Sequence, residues 1–189
     1  MKKEIKGNFG YLKAKRNQVL IRTLLFFGIS LSLFIAGYIT TGTKKNLLTV
    51  VAVLGCLPAS KSLVNLIMYF RATGCSEEAK KVIAPLEGRL IGMYDMYFTS
   101  YQKNFAISHM IVEDKVILGY TESVKCDCRA CEEHLLTMLK QSGFKDMTIK
   151  ISDKLETYCE QLRKMNEKEQ DNHPEKDDAV RVVLYDISL

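Results

Sequence analysis

The chain has 189 residues with a formal net charge of +5, a length that fits one domain or two small ones. Hydrophobic residues make up 47% and charged residues 26%, which excludes a disordered, collagen-like or low-complexity chain. The charge is unevenly spread: Met1 to Cys75 holds 11 Lys and Arg against the single acid Glu4, while the remainder holds 16 basic and 21 acidic residues. A basic, apolar front joined to a mildly acidic body points to a membrane anchor followed by a soluble domain.

A basic segment, residues 1–18, leads into Thr23 to Thr41, nineteen residues without a charge. About twenty apolar residues at 1.5 Å rise cross a bilayer core, and this stretch is longer than the apolar part of a secretory signal and lacks a small-x-small cleavage pattern. Thr41 to Asn46 is short and holds Gly42, as a hairpin between helices would. The apolar pattern then runs from Leu47 to Phe70 with Pro58 and Lys61 inside it. Because proline removes a backbone donor, a break near Pro58 is expected. Two readings of residues 60–71 follow: a crossing helix whose Lys61 snorkels to the headgroups, or an amphipathic helix lying at the interface. Residues 19–72 are thus read as a two-helix transmembrane hairpin. Lys2, Lys3, Lys6, Lys13, Lys15, Arg16 and Arg22 precede the first span and only Lys44 and Lys45 lie in the hairpin loop, which places both termini in the cytoplasm. Anionic lipid headgroups are the expected partners of the N-terminal cluster.

The run Gly37-Tyr38-Ile39-Thr40-Thr41, followed by Asn46 to Lys61, resembles the helical hairpin of a group of small, functionally uncharacterised membrane proteins of Gram-positive bacteria. The resemblance implies a bacterial plasma-membrane protein with two passes. It carries no activity and no catalytic residue.

Residues 73–165 read as a cytosolic α+β domain. Ser76 caps a helix that Pro85 should stop. Leu90 to Thr99, Phe105 to Val112 and Val116 to Thr121 are rich in β-branched and aromatic residues and are joined by short links, which predicts an antiparallel three-stranded meander. Asp127 caps a helix with Cys131, Leu135, Met138 and Leu139 on one face, and Gly143 follows its end. Met147, Ile149 and Ile151 alternate as a fourth strand, and Asp153 with Glu156 forms a capping box for a helix burying Leu155, Tyr158, Cys159, Leu162 and Met165. Residues 166–178 are almost wholly polar and read as a linker, and residues 179–189, with Val180 to Ile187 at their centre, read as a last strand. The expected fold is therefore a membrane α-helical hairpin plus an α+β domain, the meander being followed by α-β-α-β.

Cys126, Cys128, Cys131 and His134 form the densest set of chemically competent residues. Thiolate and imidazole are zinc ligands, so a C-x-C-x2-C-x2-H zinc site can be drawn, although the single residue between the first two cysteines is atypical. The other readings are packed, reduced thiols and redox sensing. Asp95, Glu113 and Lys115 can be written into the carboxylate and Glu-x-Lys pattern of a restriction-endonuclease-like core, where such groups hold a divalent metal. His109 and His173 have no evident partner. Basic residues of the body are dispersed among acids, so no nucleic-acid partner is expected. The favoured expectation is a non-enzymatic, membrane-anchored module that binds a protein partner or itself. The alternative is a metal-dependent sensor or enzyme built on the Cys126 to His134 cluster.

Overall fold

The computed structural model describes residues 5–101, 103–167 and 174–189. The chain divides into two compact units: residues 12–72 form one, and residues 1–11 together with 73–189 form the other.

The smaller unit is a pair of antiparallel helices, α1 (Tyr11–Thr41) and α2 (Leu47–Arg71), joined by a five-residue loop. Asn46 organises that loop. Its side-chain oxygen accepts from the Thr49 N–H at the start of α2, and its amide donates to the carbonyl of Gly37 and to Thr41 and Thr43. The helices meet through small residues at a fixed seven-residue step. A side chain on Gly37 would strike Asn46 and Leu48, and one on Gly55 would strike Ser30. Thr23 and Ser62 share a hydrogen bond of 2.7 Å between their hydroxyls. The pairs Gly37 with Leu48, Ser30 with Gly55 and Thr23 with Ser62 thus keep one register over two heptads, the repeat of a left-handed helix pair whose backbones approach closely. α2 runs unbroken through Pro58, so the expected break there does not occur. Proline removes one donated bond and crowds the carbonyl four residues back, yet here the helix continues, with Ala59 beside it fully buried.

The larger unit is a four-stranded sheet with helices on both faces. β1 (Gly92–Thr99), β2 (Asn104–Glu113) and β3 (Val116–Tyr120) form the antiparallel meander, and β4 (Thr148–Ser152) joins parallel to β3, giving the order β1-β2-β3-β4. α3 (Glu77–Glu87) and α5 (Leu155–Glu167) cover one face through Ile83, Tyr158 and Leu162, and α4 (Cys128–Gln141) with α6 (Pro174–Ile187) covers the other through Leu135, Leu139, Val180 and Leu184. Asp127 caps α4 by accepting from the Ala130 N–H, as its spacing predicts. Two boundaries differ from expectation. Pro85 lies inside the last turn of α3 rather than ending it. The entry to α5 is held by the Ser152 hydroxyl, which accepts from the Lys154 N–H, in the place expected for Asp153.

The larger correction concerns the C-terminal segment: Val180 to Ile187, expected as a strand, belongs to helix α6. Asp177, Arg181, Leu184 and Ser188 recur every three or four residues on its buried side. Packing of Val180 and Leu184 into the core outweighs the strand preference of Val180, Val182 and Val183. The sheet edge still gains a partner, because Leu189 donates its N–H to the Tyr97 carbonyl at 2.8 Å. Residues 174–178 of the expected linker lie in α6, Asn166 and Glu167 lie in α5, and the rest of that linker, His173 included, falls outside the described residues.

β1 and β2 contain a coordinated break. Met93, Met96 and Phe98 all face α4 and α6, whereas Tyr94 faces α3 and α5, so the two-residue alternation slips between positions 94 and 96. β2 slips at the facing site, with Phe105, Ile107, Met110 and Val112 on the first face and Ile111 on the second. The register is the same on both sides of the break, from Met93 opposite Met110 to Phe98 opposite Phe105. At its centre Asp95 adopts φ +56°, a left-handed conformation that a side chain other than Gly, Asn or Asp resists.

Candidate functional site

Asp95 is buried in the middle of an apolar strand, and both of its oxygens hold backbone. Oδ1 accepts from the Cys75 N–H and Oδ2 from the Gly10 N–H, each at 2.8 Å. One carboxylate therefore fastens the chain just before α1 and again just after α2. The fit leaves no room at Gly74, where a side chain would meet Asp95 Oδ1. A second carboxylate continues the grip: Glu122 accepts from the Ser76 N–H at 2.7 Å and from its hydroxyl at 2.6 Å, while Ser76 caps α3 through the Ala79 N–H. Burial, followed by the charges of Glu122 and Asp95, pushes the Cys75 thiol up to about 12. The N-terminal segment is held over residues 6–9. Lys6 donates to the carbonyls of Tyr185 and Ser188 at the end of α6, Tyr94 donates its N–H to the Gly7 carbonyl, and Phe9 stacks edge-on against Tyr94 with Lys80 over its ring.

Behind this grip lies a closed polar chain. His109 is fully buried and its Nδ1 accepts from the Tyr158 hydroxyl at 2.6 Å. Its Nε2 faces Glu87 Oε1 at 3.0 Å, off the line of a good hydrogen bond, and the Tyr94 hydroxyl donates to the same oxygen. Partners on both ring nitrogens assign the Nε2–H tautomer. Burial holds His109 below its ordinary value and Glu87 opposes that shift. Burial opposes ionisation of Glu87, but the adjoining His109 ring and the bond from the Tyr94 hydroxyl prevail and hold its carboxyl below the usual range. A neutral imidazole between a phenol and a carboxylate is thereby stabilised. Sequence reading missed this chain because its members come from α3, β1, β2 and α5.

No family model, no characterised protein and no solved structure matches the chain.

The structure divides the residues that the sequence singled out. Cys131 is fully buried in the core, and Cys126 and Cys128 pack against it, partly exposed. His134 turns elsewhere: its ring lies 5.8 Å from that of Phe105 and lines an open cavity of about 500 Å³ with Lys103, Ala130 and Glu133. Among the described residues no three His, Cys, Asp or Glu side chains gather closely enough to hold a metal ion. Asp95 and Glu113 are not brought together either. Asp95 stands level with Ser108, and five residues of extended strand from there to Glu113 span about 17 Å. Glu113 instead pairs with Arg89 at 2.5 Å, and Lys115 is exposed beside the β2–β3 turn.

α1 and α2 carry the other candidate surface. Both are long and apolar enough to cross a membrane, and only 17% of each apolar stretch is buried. Leu25 is 57% exposed, Ile39 75%, Val53 63% and Leu57 68%, while the polar Thr23, Ser30 and Ser62 are turned inward. Arg22 and Lys61, both exposed, each precede a member of the hydroxyl pair Thr23–Ser62, so the two charges stand at one level of the helix pair. Beyond that level α1 and α2 continue together, with the Arg16 guanidinium 5.3 Å over the Phe70 ring.

Proposed function

We propose that the chain is a two-pass plasma-membrane protein of a bacterium, with both termini in the cytoplasm, whose α+β body is a non-enzymatic module that binds a protein partner or a second copy of itself. The observation that carries the membrane reading is the inverted surface of the helix pair, with large aliphatic side chains outward and hydroxyls inward. A water-facing pair would reverse that arrangement, and small residues at a heptad step suit packing between helices in lipid. The shared level of Arg22 and Lys61 marks the inner boundary of the hydrocarbon. Thr23 to Thr41 then covers about 28 Å of rise, and α2 enters the lipid near Ser60, its last turns continuing inward beside the basic turns of α1. Residues 60–71 therefore neither break away nor lie flat. The Lys and Arg excess before the first span supports the cytoplasmic placement. The binding role rests on the use of the polar groups of the body: Asp95, Glu122 and the His109 chain are spent on holding backbone and one another. A reporter active only in the cytoplasm, fused at Leu189, should work, and one inserted at Gly42 should fail. The opposite pattern would reverse the orientation, and activity at both sites would remove the membrane reading.

A further inference from the structure

At one level of the helix pair two cations are brought to the same side. Thr23 and Ser62 face each other there, and Thr23 gives its hydroxyl proton to the Val19 carbonyl at 2.8 Å, so Ser62 donates in the 2.7 Å bond between them. That buried bond fixes the spacing of α1 and α2 at this level. An antiparallel pair has a local two-fold axis at each contact, normal to the plane of the helix axes, so the residues that precede two facing contacts turn to the same side. Arg22 and Lys61, both exposed, therefore share one flank. Leu24 and Leu63, which follow the same contacts, lie on the other flank and carry no charge. The seven-residue step extends the first series: two turns deeper, the residues preceding Ser30 and Gly55 are Ile29 and Leu54, both exposed aliphatic side chains. The flank thus presents two positive charges at the edge of an open hydrocarbon surface. Residues 5–76 hold no acid, and among the described residues neither cation pairs with a carboxylate.

We propose that this flank binds one anionic glycerophospholipid of the inner leaflet, its phosphodiester held between Arg22 and Lys61 and its acyl chains laid along Ile29 and Leu54. The proposal rests on the membrane reading of α1 and α2, and it goes beyond the diffuse attraction of a basic segment for anionic headgroups by naming a site for a single lipid. Guanidinium forms two parallel bonds to phosphate oxygens and ammonium adds a compact charge, so the two together match one phosphodiester. Their long stems run along apolar surface and set the charges at headgroup level. Charge selects the lipid. A phosphatidylglycerol headgroup brings one negative charge and no cation, whereas phosphatidylcholine carries its own ammonium beside the phosphate, which the two protein cations repel. Attachment to acyl chains selects against a soluble phosphate, which gains the charge contacts alone, while a lipid also covers the aliphatic surface below them.

The test uses the full chain in neutral detergent micelles, incubated with equal amounts of dioleoyl-phosphatidylglycerol and dioleoyl-phosphatidylcholine and read by native mass spectrometry. The wild type should retain one phosphatidylglycerol per chain, roughly tenfold or more over phosphatidylcholine, since each basic residue near an anionic group contributes about fivefold. Arg22→Gln and Lys61→Gln should each lower that retention about fivefold, and Arg22→Lys, which keeps the charge, should preserve most of it. Lys13 is the control. It stands three residues before Arg16, which faces Phe70, and so turns to the opposite flank, and Lys13→Gln should leave retention unchanged. An equal loss in Lys13→Gln would reduce the effect to diffuse charge, and equal retention of the two lipids would remove headgroup selection; either overturns the proposal. Displacement of the lipid by an equal concentration of glycerol 3-phosphate would assign the site to a soluble anion, and a second chain bound in place of lipid would assign it to self-association. Flotation with vesicles of phosphatidylcholine alone reads the membrane placement separately. The chain should float with them: floating without lipid selection removes the site and leaves the membrane reading standing, whereas failure to float removes both.

Discussion

The two units of the chain place their polar groups by opposite rules. In the helix pair the hydroxyls of Thr23 and Ser62 face each other and the aliphatic side chains face out. In the α+β body Leu135, Leu139, Phe98 and Ile107 face in, and buried polar groups are confined to a few sites where each has backbone or a partner side chain to hold. The difference fits the membrane setting proposed for the helix pair. In water the hydrophobic effect drives burial and a buried polar group is an expense that needs a reason, whereas in lipid helices associate through close packing and interhelical hydrogen bonds. The body is therefore vulnerable at single buried polar residues, and the helix pair is not.

The sharpest way to break this contrast is Asp95→Ala. It leaves the half-buried N–H of Gly10 and the buried N–H of Cys75 without an acceptor and puts a β-carbon with no compensating bond at φ +56°. Charge-assisted bonds of this kind contribute about 1.5 to 3 kcal/mol each, so the body should lose roughly 3 to 5 kcal/mol in a denaturant titration of the detergent-solubilised chain. Asp95→Asn, which keeps one carbonyl oxygen and tolerates the left-handed conformation, should lose less.

Next in size is Tyr158→Phe, which removes the donor to His109 Nδ1 and should cost about 1 to 3 kcal/mol. The His109 chain also sets a pH dependence. The folded state holds His109 below its ordinary value of 6.5, so below that pH the unfolded chain binds a proton that the folded chain refuses, and stability falls as pH drops from about 6.5 toward the folded value. Glu87, held below its ordinary 4.5, adds a second loss once pH falls under that value. Melting temperature should thus decline from pH 7 to pH 5, and His109→Gln should flatten the part between 7 and 5.

Thr23→Val tests the other side of the contrast. Loss of one hydroxyl pair between helices in a membrane should cost only about 0.6 kcal/mol, read as a small change in the denaturant midpoint of the helix pair. The smallest effect belongs to Val182, 56% exposed on α6. Val182→Ala should stabilise the body by a few tenths of a kcal/mol because alanine is the better helix former, whereas a strand at this position would be weakened.

How much of this was legible follows the range of the interactions. The meander could be read because its β-branched runs and the Glu113-Asp114 turn are local, and Asp114 does take a left-handed φ of 53°. Asp127 could be read as a cap because its bond reaches only three residues ahead. α6 could not, since Val180 to Val183 prefer strands locally and only contact with the sheet and α4 makes the helix the better solution. Asp95 carried a signal, a carboxylate inside the apolar run Met93 to Phe98, but its purpose depends on Gly10, 85 residues away across the helix pair, and on Cys75, 20 residues away across α3. His109 looked partnerless for the same reason. The cysteine cluster was legible as residues but not as geometry, because α4 turns His134 toward Phe105 while the three cysteines pack into the core.

The central claim is that the exposed aliphatic faces of α1 and α2 are covered by lipid. Alkaline carbonate extraction of membranes from cells expressing the full chain tests it most directly, because high pH strips proteins held by charge or by surface contact and leaves those held by hydrocarbon. The chain should remain in the membrane pellet and enter the soluble phase only with detergent. Quantitative release by carbonate alone would contradict the account.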